Sequence, residues 1–178
     1  MDTKTYQENI LFMLKHPGVL PDEADVYLKE LKDSVELEVT RDISIWWRTV
    51  QIEKYCVLTS NYLKKKQCFD EEVRQFYLQT NVSPYIEVMA MQFYDYLLIT
   101  TTDNLLHSLA AFEKYLIKIK RGEVIEYEVQ WQYEPYAILD MLLQNKDLKP
   151  EPFTGNYTTF MASYLEDHFE VIPQDELL

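Results

Sequence analysis

From Gly122 to Gln132 the sequence reads GEVIEYEVQWQ, and although Val124 breaks a perfect alternation, its apolar and polar positions alternate from Ile125 onward. Ile125, Tyr127, Val129 and Trp131 fall on one side, with Glu126, Glu128, Gln130 and Gln132 on the other. That is the period-two pattern of a strand buried on one face. Gly122 closes the segment before it, and Pro135 stops the strand soon after. Tyr157–Tyr164 and Phe169–Ile172, joined by a Glu166-Asp167 turn, read as a second and a third strand.

Before Gly122 the spacing changes to three and four. Asp2 or Thr3 caps a helix to about Lys15, with Ile10, Leu11 and Leu14 as its stripe and His16-Pro17-Gly18 as its end. Pro21 and Asp22 open a short helix that buries Val26, Tyr27, Leu28 and Leu31. One long helix is predicted from about Asp42 to Lys66, carrying Ile45, Trp46, Thr49, Ile52, Tyr55, Cys56, Thr59 and Tyr62 in register. Lys64-Lys65-Lys66 on its last turn reads as a solvated helix end. Asp70 caps a helix to about Gln79, with Val73, Phe76 and Tyr77 inward. Pro84 suits the first position of the next helix, which carries Ile86, Met89, Ala90, Phe93, Tyr94 and Leu97. Asp103 caps another that ends near Arg121, with Leu106, Leu109, Ala110, Glu113 and Leu116 along it. Tyr136–Leu143 is a short helix, and Lys149-Pro150-Glu151-Pro152 a loop. The expected fold is α+β: a helical region over 1–121, then 122–178 as a small antiparallel sheet of about three strands with a short helix, the two packed together.

Charge narrows the choice of partners. The chain carries −13, yet residues 123–178 hold 12 acids against Lys146 and Lys149 and account for −10 of it. Such a tail repels a phosphate backbone, so nucleic acid is a poor partner, and a cationic peptide or a basic protein surface a better one. With 47% hydrophobic residues a packed core is expected, while three glycines leave little for phosphate-cradling loops. Two cysteines are too few for a disulfide framework, and no apolar run approaches the roughly 18 residues of a membrane span. A cytoplasmic chain with reduced thiols is the expectation.

Catalytic chemistry finds no foothold. His16, His107 and His168 lie far apart, and the nearest pair of possible ligands, Asp103 and His107, reads as a helix cap and a histidine one turn on. Cys56 and Cys68 form no CxxC pair, and Cys56 falls on an apolar helix face. Ser60, Ser83, Ser108 and Ser163 lack a glycine-flanked elbow. No catalytic residue, metal ligand or cofactor site is assigned to this chain. A binding or accessory protein is expected rather than an enzyme acting alone.

Residues 72–97, EVRQFYLQTNVSPYIEVMAMQFYDYL, place an aromatic helix, a Ser83-Pro84 break and a helix ending in Phe93-Tyr94-Asp95-Tyr96-Leu97 in succession. Leu109-Ala110-Ala111-Phe112-Glu113 follows, then a run from Tyr133 through Pro135 to Leu142, and a final hairpin over Tyr157–Leu178. This succession resembles the HvfC/BufC family, long described as DNA-binding, over most of residues 45–178, whereas residues 1–40 depart from its longer members. Its compact members, MbnC and TglI, are accessory subunits. They pair with TIM-barrel, multinuclear non-haem iron enzymes that oxidatively modify cysteine in ribosomally made peptides, and the iron ligands belong to the barrel.

The resemblance implies a non-catalytic subunit of a heterodimer that holds a precursor's leader peptide, with iron only in the partner. A peptide could add to the sheet as a further strand, using Glu123, Glu126, Tyr127, Glu128, Val129, Gln130 and Trp131, and the acids among them would favour a lysine-rich leader. Trp46, Trp47, Tyr133 and Tyr136 are the candidates for the partner interface. Trp46 and Trp47 are adjacent, so either one is core and the other interface, or both lie in a broad groove between helices. The rival reading is a stand-alone regulatory or nucleic-acid-binding domain, against which the charge counts.

Overall fold

Carboxylates that immediately precede them in sequence start four of the helices. Asp2 accepts from Thr5 N–H (2.8 Å), Asp25 from Leu28 N–H (3.0 Å), and Asp103 from both Leu105 and Leu106 N–H. Glu134 accepts from Tyr136 and Ala137 N–H, with Pro135 at the first helical position where its missing N–H costs nothing. Each such cap satisfies N–H groups that the first turn of a helix leaves without an intrahelical partner. The computed structural model describes residues 2–22, 24–150 and 153–174. Among them are α1 (Thr3–Lys15), α2 (Val26–Leu31), α3 (Val35–Tyr55), α4 (Val57–Lys65), α5 (Phe69–Gln79), α6 (Ile86–Thr100) and α7 (Asn104–Lys120). Then come β1 (Glu126–Tyr133), α8 (Pro135–Leu143), β2 (Thr154–Ala162) and β3 (Phe169–Pro173). The architecture is α+β, helices first and a three-stranded antiparallel sheet after them, as the alternation at Gly122–Gln132 predicts. Of the expected Lys149–Pro152 loop, Glu151 and Pro152 lie outside the described residues, as do Asp175–Leu178 of the expected final hairpin.

Two compact units divide the chain: Met1–Gln51 with Asp70–Val82, and Ile52–Phe69 with Ser83–Leu178. The sheet therefore shares its unit with α4, α6 and α7 of the helical front.

In the first unit, Met13, Leu28 and Leu37 form a small core under Tyr6, Ile10 and Leu31. Long-range cations close two helix C-termini. Arg41 on α3 donates from Nε to Leu14 C=O and from Nη2 to Met13 C=O, both at 3.0 Å, which satisfies the last turn of α1. Lys15, at the end of α1, donates to the carbonyls of Tyr77 and of Thr80, the latter at 2.7 Å, and sits 4.0 Å from the Tyr77 ring centre. Burial, and then the nearby Arg48, lower the Lys15 pKa to about 8. The unfolded chain, with a lysine near 10.4, then binds more protons between those two values. Stability should rise from about pH 8 to about pH 10.4 in the wild type and stay flatter in Lys15→Met, read by urea melts at stepped pH. Equal slopes in the two proteins would refute this.

Three expectations in this unit need correction. Within α2 only Leu28 is buried, and Val26 and Tyr27 are exposed: with Asp25 as the cap, a helix of six residues presents one side chain inward. In α1 Met13 is the buried residue and Leu11 is exposed. The long helix begins at Val35, where Ser34 Oγ accepts from Leu37 N–H, and breaks at Cys56.

In the second unit α7 is the central element. It packs against β1 and β2, and also against α4 and α6. Gly122, at φ +71°, ends it: Glu123 N–H reaches Lys118 C=O and Gly122 N–H reaches Ile119 C=O, both at 2.9 Å. Strand order is β1-β2-β3, with Tyr127 opposite Met161, Val129 opposite Thr159, and Thr159 opposite Val171. Val129, Trp131 and Met161 face inward, where the Phe112 ring lies edge-on to Trp131 (5.8 Å) and to Phe169 (5.1 Å). Ile125, predicted on that face, is 69% exposed because it precedes the first ladder pair. No helix among the described residues is long and apolar enough to cross a membrane.

Candidate functional site

The outer edge of β1 is the feature most open to a ligand. Ser163 N–H donates to Ile125 C=O (3.0 Å), so the odd-numbered residues of β1 turn their backbone groups toward β2. The even-numbered ones, Glu126, Glu128 and Gln130, turn theirs to the side where no strand lies among the described residues. The Ser108 hydroxyl on α7 donates to Gln130 C=O at 2.6 Å and closes the edge there. The backbone groups of Glu126 and Glu128 remain outward, a short template of about two residues. The β3 edge differs, since Pro173 lacks an N–H and blunts it.

Side chains divide the candidate residues in the same way. Glu123, Glu126, Glu128 and Gln130 are exposed. Val129 and Trp131 are buried, and Tyr127 is half-buried with its ring stacked on Tyr115 at 3.3 Å. On the exposed face of the sheet, ladder pairing sets Glu128 beside Phe160 and Phe160 beside Glu170. Tyr164 donates to Glu126 Oε1 at 2.9 Å and packs its ring against Phe160. An aromatic centre is thus ringed by three carboxylates.

At the far end of β1, Gln132 and half-buried Tyr133 border a cavity of about 820 Å³. Lys64, Lys65 and Lys66 from the end of α4 line it with Lys149 from the loop after α8. Asp103 and Asp147 are its carboxylates. Tyr62 donates to Asp103 at 2.6 Å, and burial followed by that carboxylate pushes the Tyr62 pKa up.

Of the remaining interface candidates, Tyr136 is 53% exposed, with its ring 5.7 Å from Phe169. Trp46 and Trp47 are 60% and 54% exposed, so neither is core. They continue an exposed apolar line along α3 formed by Val35, Val39 and Ile43.

No family model matches the chain, and the searches of curated proteins and of solved structures return no match.

One buried cluster escaped sequence reasoning. Glu113, fully enclosed on α7, accepts from Leu58 N–H and Thr59 N–H, both at 2.8 Å. It is the N-cap of α4, supplied from another helix, and it occupies the place that Cys56 cannot fill with its own side chain. That is why the predicted long helix breaks here. Burial raises the Glu113 pKa, opposed by the Thr59 and Leu58 donors. Burial and the adjacent Glu113 also push the Cys56 thiol up, which makes it inert as a nucleophile. The signal was present: a glutamate among Leu106, Leu109 and Leu116 on an inward stripe requires donors. Among the described residues, no three His, Cys, Asp or Glu side chains gather as metal ligands.

Proposed function

We propose that this chain is a non-catalytic accessory subunit that captures a basic leader segment of a ribosomally made precursor peptide and presents it to a multinuclear non-haem iron enzyme that modifies cysteine. The observation that carries the peptide-binding half is the open β1 edge. Glu126 and Glu128 offer outward backbone groups there, while their side chains, with Glu170, surround Phe160. Main-chain bonds from an added strand supply affinity without demanding a sequence, and the carboxylates select for lysine and arginine. The enzyme partner rests on the resemblance to the HvfC/BufC family. Exposed Trp46 and Trp47 on the first unit, and separately Tyr136 on the second, suit docking, since aromatic anchors dominate interface energies.

Calorimetry tests the peptide half. A lysine-rich peptide of about 15 residues should bind, and Glu126→Lys/Glu128→Lys should weaken it by about tenfold or more, an effect of about 1.4 kcal/mol. Raising the salt should weaken the wild-type complex in the same direction. The reading fails if neither such a peptide nor a cysteine-containing precursor encoded beside this chain binds to it or to its complex with a barrel enzyme.

A further inference from the structure

The lysine cavity is at odds with the rest of the molecule. Four of the chain's 17 basic residues line it against two of its 30 acids, in a protein of net charge −13. Its cations come from two places in the sequence: Lys64–Lys66 close α4, and Lys149 follows α8. Carboxylates are abundant, yet they do not neutralise the whole set. Lys64 pairs with Glu53, and Lys66 lies 3.9 Å from Asp103. Lys65 meets only the neutral Asn145 amide oxygen at 3.1 Å, and Lys149 has no carboxylate partner among the described residues. Two cations are therefore left facing a cavity large enough for several side chains.

We infer that this cavity receives an acidic segment of the same peptide whose basic segment lies along β1. The inference rests on the peptide-binding reading of that strand. The cavity opens beside Gln132 and Tyr133, where β1 ends. An extended chain advances about 3.4 Å per residue, so the step from Glu128 to Tyr133 is about 17 Å, or about five peptide residues. Ser108 closes the edge at Gln130, which turns the peptide off the strand before it reaches the lysines. A bipolar ligand follows: a basic stretch, about five intervening residues, then an acidic stretch. Carboxylates fit the cavity better than a phosphate group does. At the start of α7 the Leu105 and Leu106 N–H groups are already taken by Asp103, so they cannot cradle a phosphate, and the lysines are dispersed point charges rather than a bidentate clamp.

Fluorescence anisotropy on the full chain tests this with three labelled peptides that share a neutral five-residue spacer: lysines then aspartates, lysines then serines, and serines then aspartates. The bipolar peptide should bind about tenfold or more tightly than the lysine–serine peptide. Lys65→Gln/Lys149→Gln should remove that gain and leave the lysine–serine peptide unchanged; Lys149 is exposed and Lys65 half-buried, and circular dichroism checks the fold. Glu126→Lys/Glu128→Lys should weaken both. Equal affinities for the bipolar and lysine–serine peptides overturn the inference while the β1 reading stands. Binding of the serine–aspartate peptide alone overturns the β1 reading and the joint ligand with it. Silence from all three overturns both. ATP that binds in a Lys65- and Lys149-dependent way, with no gain for the bipolar peptide, assigns the cavity to a free phosphate compound and overturns the inference.

Discussion

Replacing Glu113 with alanine is expected to destabilise the protein by about 3–5 kcal/mol. Its carboxylate accepts from the N–H groups of Leu58 and Thr59, and neither donor has another acceptor in reach within the first turn of α4. Alanine would strand both in a dry interior and leave a void between α7 and α4. Chemical denaturation gives the magnitude; a loss under 1 kcal/mol would mean that α4 finds its cap elsewhere. Glu113→Gln separates charge from shape. Burial raises the Glu113 pKa in the folded state, so the folded protein holds this proton more tightly than the unfolded chain does. The stabilising effect of that proton is fully present below the unfolded carboxylate value of about 4.3 and is lost as pH rises through the folded value. The stability gap between the wild type and Glu113→Gln should therefore narrow from acidic pH toward neutrality. A gap that widens would show that the two N–H donors outweigh burial, with the opposite sign of shift.

The same residue marks the boundary of what can be read from sequence. Asp103 and Gly122 act on their own helix ends through neighbours two to four residues away, so the bounds of α7 were legible. The alternation in β1 was legible for the same reason, because the pleat is local. The break at Cys56 depends on a carboxylate 57 positions along the chain, and periodicity passes smoothly through it. The start of α3 was missed for lack of an apolar pattern: Val35, Val39 and Ile43 are exposed, so their spacing marks a surface line rather than a core. Trp46 and Trp47 show how far composition can mislead, since large aromatics suggest burial and both remain open.

The candidate site was legible in its charge and less so in its geometry. The acids of β1 are visible in GEVIEYEVQWQ, but which backbone groups face outward follows from register with β2, and the closure at Gln130 from a serine on α7. Lys64–Lys66 alone reads as a solvated helix end, and only the arrival of Lys149 from the loop after α8 turns it into one wall of a cavity. The candidate features thus arise where two elements meet at the ends of one strand, and the ligand proposed for them is extended rather than compact.

Arg41→Leu is expected to cost about 2–4 kcal/mol, and to do so within the first unit. The guanidinium is buried, and its two donors meet the carbonyls of Met13 and Leu14 at 3.0 Å, the groups that a helix C-terminus leaves unpaired. Each hydrogen bond from a charged donor is worth about 1.5–3 kcal/mol, and relief from burying the charge offsets part of the sum. Leucine fills the space but leaves both carbonyls without donors. Arg41→Lys should recover less than half of the loss, because a single ammonium cannot span two carbonyls with the fixed fork of arginine. Amide exchange should locate the effect, quickening first in the last turn of α1 through Lys15, whose own bonds to Tyr77 and Thr80 depend on that turn holding its position. Unchanged exchange across α1 in a destabilised Arg41→Leu protein would show that Arg41 acts through α3 packing instead of through the carbonyls it caps.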